Sequence, residues 1–217
     1  MKKLVMEFLG TFFIVLAVAI TSNPFAIAAM VMAWMYIGGH VSGAHYNPLV
    51  SFSMVFVNKL SWRNFGLYVL AQILGGISAF AMNFYLRGVI LLPQPSVNAT
   101  LFKAFIVEVF LSTILALVVL NVVFLDKYKN NPMFGFAIGF TILALAFVGS
   151  PISGGLFNPA ISLGANIFAL IKGMSIVAEN LLMYVSGALL GGFLAAYLFK
   201  FFTIEHKRFV IIEVIED

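Results

Sequence analysis

Apolar residues fill long stretches of this chain, and polar ones are confined to short interruptions. Apolar runs cover residues 4–22, 25–39, 65–86, 102–125, 133–148 and 176–202. A helix needs about 20 mainly apolar residues to cross a bilayer, so the pattern predicts six membrane spans. Two shorter runs, 48–57 and 159–171, are too short to cross at about 1.5 Å of rise per residue. They predict half-helices that enter the membrane and stop. A polar phrase precedes each one. The first reads Ser42-Gly43-Ala44-His45-Tyr46-Asn47-Pro48 and the second Ser153-Gly154-Gly155-Leu156-Phe157-Asn158-Pro159. Asn158 minus Asn47 is 111 positions, about half of the 217-residue chain.

Composition agrees with lipid as the solvent. The chain is 63% hydrophobic and 9% charged, with a mean hydropathy of +1.09. A soluble domain is usually about 45–50% apolar and about 25% charged. There is no cysteine, which excludes disulfides and thiolate metal sites. Met1-Lys2-Lys3, the apolar run and Ala17-Val18-Ala19 also fit a cleaved signal peptide. Glu7 inside the run and the likeness of the two halves argue against that alternative.

Charge then orients the spans. With both termini in the cytoplasm, Lys2, Lys3, Lys59, Arg63, Lys127, Lys129, Lys200, Lys207 and Arg208 lie inside, and Arg87, Lys103 and Lys172 outside. This satisfies the positive-inside bias. The net charge of +4 therefore reports topology and not nucleic-acid binding. A Pro-, Ser- and Asn-rich segment at 93–100 is expected outside the membrane, joining two halves of three spans. Three is odd, so the halves insert in opposite directions, as an inverted-topology repeat. The expected fold is all-α: six transmembrane helices plus two re-entrant half-helices. The domain is expected over 1–202, with repeats of about 1–92 and 101–202 and a cytoplasmic tail at 203–217.

Asn is a strong helix N-cap and Pro suits the first helical position. Asn47-Pro48 and Asn158-Pro159 thus start the half-helices. Inverted symmetry brings the two starts together near the midplane, and each carries roughly half a positive charge. Cations and hydronium are repelled there, whereas a neutral polar molecule is not. Ser42-Gly43 and Ser153-Gly154 are expected to let the backbone run extended along a path, since non-helical backbone at this depth must border a cavity or protein. A plain turn is the alternative for either Asn-Pro alone. Two copies, with Ser51 and Ser162 matched downstream, argue against it.

These phrases resemble the aquaporin, or major intrinsic protein, family. Gly39-His40-Val41-Ser42 through Pro48 resembles the family's first loop. Ser153-Gly154 and Asn158-Pro159-Ala160, followed by Ser162 and Gly164, resemble the second. Glu7-Phe8-Leu9-Gly10-Thr11-Phe12 resembles its first helix. The resemblance implies one pore per subunit, a homotetramer, and a plasma-membrane channel for water or small uncharged solutes. It also implies that Glu7 and Glu108, intramembrane acids and hence expensive, hold the loop N–H groups. For Glu7 the alternative is an acid reaching the inner surface near Lys2 and Lys3. His40 and His45 are read as packed loop residues that fix backbone shape, with titration near neutral pH as the alternative. Glu179 reads as a solvated charge.

The chain departs from the family at its outer constriction. Carried over by spacing from the two Asn residues, the four positions are Ile27, Ala146, Gly155 and Ile161. Most members carry Arg where Ile161 stands. Two small and two aliphatic residues imply a wider, apolar ring that is less specialised for water. Glycerol, urea, ammonia, peroxide or undissociated acids become candidate permeants. Ser162 replaces the Asp usual in glycerol-conducting relatives. Leu49 replaces the usual Ala and is expected to shift the central constriction. The tail is amphipathic, and Phe209-Val210-Ile211-Ile212 could dock on the inner face. A secondary transporter also uses inverted repeats with broken helices, but needs a midplane ion site that these acids do not supply. No nucleophile–base–acid set suggests an enzyme. No cofactor or metal is expected, and the partners are the bilayer and a small neutral permeant.

Overall fold

The computed structural model describes residues 1–128 and 131–216, with side chains through Thr203 apart from Asp126. Eight α-helices run in chain order: α1 (Lys2–Thr21), α2 (Pro24–Ser42), α3 (Pro48–Phe56), α4 (Trp62–Arg87), α5 (Leu101–Phe124), α6 (Phe134–Gly149), α7 (Pro159–Ile171) and α8 (Ala178–Glu216). No strand occurs among the described residues. Among the described residues, five helices are long and apolar enough to cross a membrane. The sixth span, α6, has 16 residues, about 24 Å at 1.5 Å per residue.

The inverted repeat is visible in the packing. In the first half α1 packs on α4, and in the second α5 packs on α8. Helices α2 and α6 join the halves. Each half-helix crosses to the other side, α3 onto α8 and α7 onto α4. Glycines make this approach possible at matched places. A Cβ on Gly192 would stand 2.8 Å from Leu49 Cδ1, and one on Gly76 would strike the Ala160 carbonyl. Likewise a Cβ on Gly75 would lie 2.6 Å from the Phe8 carbonyl, and one on Gly191 2.7 Å from that of Val109.

Several elements differ from the expected pattern. Helix α2 continues through Ser42, because Gly43, at φ 90°, supplies the left-handed cap that ends it. Helix α8 does not stop at 202 but runs to Glu216, so the tail begins as a continuation of the last span. The proposed docking of Phe209–Ile212 concerns side chains outside the described residues. Glu179 is exposed in the first turn of α8, where an acid suits the helix N-terminus.

The connection between the halves is not merely external. Helix α4 ends at Arg87, and Gly88 caps it at φ 68°. Asn83 Nδ2, fully buried, donates to the Val89 carbonyl at 2.9 Å. The Ser96 N–H donates to the Ile152 carbonyl at 3.0 Å. Arg87 itself donates to the Ala19 and Ile20 carbonyls at 3.2 and 2.7 Å. Its cation thus caps the C-terminus of α1, where the helix dipole favours it.

Candidate functional site

The two Asn-Pro starts meet in the middle of the fold. Asn47 and Asn158 are extended N-caps, at φ −157° and −148°. Each side-chain oxygen accepts from its own helix, Asn47 Oδ1 from the Leu49 N–H and Asn158 Oδ1 from the Ala160 N–H, both at 2.9 Å. Each amide nitrogen reaches across to the other loop. Asn47 Nδ2 donates to the Phe157 carbonyl at 2.8 Å, and Asn158 Nδ2 to the Tyr46 carbonyl at 3.1 Å. An amide carries two N–H donors, so each Asn keeps one for the cavity beside it. The reciprocal bonds fix the amides' orientation.

The loops are not extended, as first expected. They place left-handed residues at matched positions: Gly43 and Gly154 at φ 90° and 91°, Ala44 and Gly155 at 52° and 66°, Tyr46 and Phe157 at 50° and 46°. A non-glycine residue in that region costs about 1–2 kcal/mol. Hydrogen bonds to the two buried acids hold the loops in this shape. Glu7 accepts from Ser42 Oγ at 2.6 Å, the His45 N–H at 3.0 Å, the Tyr46 N–H at 2.7 Å and Gln72 Nε2 at 2.8 Å. Glu108 accepts from Ser153 Oγ at 2.7 Å, the Leu156 N–H at 3.1 Å and the Phe157 N–H at 3.0 Å. Neither acid is exposed at all, so Glu7 does not reach the inner surface. Such bonds offset the cost of burial.

Tyr68 and Tyr184 were missed. Each hydroxyl donates to the carbonyl of its loop's serine, Ser42 or Ser153. The spacing hid them: Tyr68 lies 21 positions after Asn47, and Tyr184 lies 26 after Asn158. A fixed offset could not pair them. Gln72 also bridges to Ser51 at 3.0 Å, and Ser51 Oγ lies 3.0 Å from His45 Nδ1. His45 is therefore part of a buried network. His40 is not a packed loop residue, because the longer α2 carries it in its last turn with the side chain exposed.

A cavity of about 380 Å³ passes this centre. Both Asn residues line it, and so do Ile27, Ala146, Gly155 and Ile161. Leu91, Leu92 and Pro93 of the connecting segment line its wall as well, a consequence of the Asn83 and Ser96 anchors. Leu49 is not among the lining residues. It is fully buried and faces Gly192, so its size is absorbed by α8 and not by the central constriction. Ala160 is likewise fully buried, against Gly76.

Comparison with known proteins agrees with this geometry. The family model for the major intrinsic protein matches residues 1–199. The glycerol uptake facilitator protein-like 6 of Lactiplantibacillus plantarum is 31% identical, over 91% of this chain and 96% of its own. Aquaporin NIP1-1 of Zea mays is 28% identical, over 95% of this chain and 76% of its own. The X-ray structure of the aquaglyceroporin from Plasmodium falciparum superposes with a TM-score of 0.76 at 23% identity, covering 91% of this chain and 93% of that one. A match over nearly the whole chain, spanning the same loops that meet at the cavity's centre, means that this protein belongs to the major intrinsic protein family and is a channel, not an enzyme.

Proposed function

We propose that the chain conducts water and small uncharged solutes passively, in either direction, through the cavity at Asn47 and Asn158. The single observation behind this reading is that both Asn amides and the four positions Ile27, Ala146, Gly155 and Ile161 line one continuous cavity. Glycerol, named for the bacterial relative, is one candidate, and urea, ammonia, peroxide and undissociated acids are others.

Ion exclusion follows from the helix starts. Two N-termini, each worth roughly half a positive charge, face a low-dielectric centre and oppose a cation. The free amide N–H of each Asn offers a donor and no acceptor, because the oxygens are occupied by Leu49 and Ala160. A water held there donates its own protons away from the centre, which breaks a chain of proton transfer. Glu7 and Glu108 act as loop supports. Their oxygens are committed to loop donors, which argues against a transporter's ion site.

In this reading the channel domain spans 1–202 as repeats of about 1–92 and 101–202. The protein sits in the plasma membrane as a homotetramer with cytoplasmic termini. Stopped-flow light scattering on proteoliposomes, with water, glycerol, urea and ammonia gradients, tests it. Facilitated flux of at least one neutral solute, without dissipation of a trapped pH-dye gradient, is the expected result. Rates equal to empty liposomes for every solute would refute it.

A further inference from the structure

We propose that a second ring, Met35, Ala44, Val50 and Ile138, and not the outer ring, is the size-determining constriction of this channel. The inference rests on the channel reading above.

The repeat itself locates the ring. The outer positions are Ile27, Ala146, Gly155 and Ile161. The Asn-to-Asn offset of 111 carries Ile27 to Ile138, Ala146 to Met35, Gly155 to Ala44 and Ile161 to Val50. All four partners line the same cavity. Ile27 and Ala146 sit toward the outer ends of α2 and α6. Met35 and Ile138 sit toward the inner ends of the same helices. The inverted repeat therefore builds one apolar ring on each side of the Asn pair.

The two rings differ in bulk. Met35 replaces Ala146 and Ala44 replaces Gly155, while Val50 is one carbon smaller than Ile161. The inner ring is larger in side-chain volume, so the opening it leaves is smaller. It is also closed more tightly. Met35, Ala44, Val50 and Ile138 are all buried and belong to one contiguous apolar cluster. In the outer ring Ile27 and Gly155 are half-buried, and Ile161 belongs to a different cluster, around Phe80 and Val15. Neither ring offers a side-chain donor or acceptor. A permeant sheds much of its hydration twice, and the Asn47 and Asn158 amides offer it donors between the two rings. The ring thus favours slender neutral solutes with few hydroxyls over polyols.

The test is proteoliposome flux of water, urea and glycerol, corrected for empty vesicles, for the wild type and single variants. Met35→Ala is expected to raise the glycerol-to-water permeability ratio about tenfold, the scale on which a few methylene groups discriminate in an apolar site. Val50→Ala, a smaller truncation, raises it less and keeps the test alive should Met35→Ala not fold. Ile161→Ala leaves the ratio within about twofold. Facilitated flux in the wild type with an unchanged ratio in both inner variants overturns the inference and leaves the channel reading standing. A ratio that responds most to Ile161→Ala overturns it too. If wild type and variants all match empty vesicles, both readings fall.

Discussion

Truncating Glu108 isolates the role of a buried acid. In Glu108→Ala three donors lose their acceptor: Ser153 Oγ, the Leu156 N–H and the Phe157 N–H. The serine hydroxyl has a second acceptor in the Gly149 carbonyl, at 3.4 Å. Two backbone N–H groups are then stranded in an apolar interior, each costing about 1–3 kcal/mol. The expected loss is about 2–6 kcal/mol. Phe157, held at a φ of 46° against about 1–2 kcal/mol of backbone strain, is the residue expected to relax once those bonds are gone. At about 2–4 °C per kcal/mol for a chain of this size, thermal unfolding in detergent should fall by roughly 5–20 °C. Amide exchange should accelerate at Leu156 and Phe157 first. Glu108→Gln keeps one acceptor oxygen and should fall between. Glu179→Ala, on the exposed first turn of α8, should change melting by little more than a degree. An unfolding temperature within a degree of wild type for Glu108→Ala, with unchanged exchange at the loop, would refute the reasoning.

Three further outcomes are expected. Thr11 Oγ1 and Ser112 Oγ are buried without a partner among the described residues, so Thr11→Val and Ser112→Ala should be neutral or stabilising by about 1 kcal/mol in the same melting assay. Gly192→Ala places a Cβ 2.8 Å from Leu49 Cδ1 and 3.1 Å from its carbonyl, a loss of about 1–3 kcal/mol. Adding Leu49→Ala should recover part of it, as a double-mutant cycle would measure. Ile161→Arg introduces a cation and a donor at the outer ring, and should shift the water-to-urea permeability ratio toward water in stopped-flow traces.

The half-helices were legible because capping chemistry is local. Asn and Pro act on the next three residues whatever the rest of the chain does, and the same pairing at Asn23-Pro24 starts α2. The left-handed loop positions were not legible. Gly43 and Gly154 announce them, but Ala44, Tyr46 and Phe157 adopt that geometry because distant acids and one another's amides hold it there. Leu49 misled for a related reason. Its spacing from Asn47 places it one residue past Pro48, but which way it faces is decided by Gly192 on the last helix. The cavity-lining Leu91-Leu92-Pro93 stretch fell between a predicted span and a predicted hinge. Its place depends on the buried Asn83 amide and the Ser96–Ile152 bond, contacts that no hydrophobic period encodes.

The two loops share a skeleton of acid, serine, tyrosine and Asn-Pro, yet each is braced in its own way. The first has His45, Ser51 and Gln72 linked to Glu7. At the matching places the second has Leu156, Ser162 and Ala188, so that side-chain network has no equivalent. Its brace is the connecting segment, which donates from Ser96 to Ile152 and brings the Gln94 carbonyl within 3.2 Å of where a Cβ on Gly154 would stand. A chain of two repeats has one segment joining them, and inverted topology delivers that segment to a single face. It can hold down one loop and not the other. The first loop needs polar side chains for the same task, which accounts for a buried glutamine and histidine in one half where the other carries alanine and leucine.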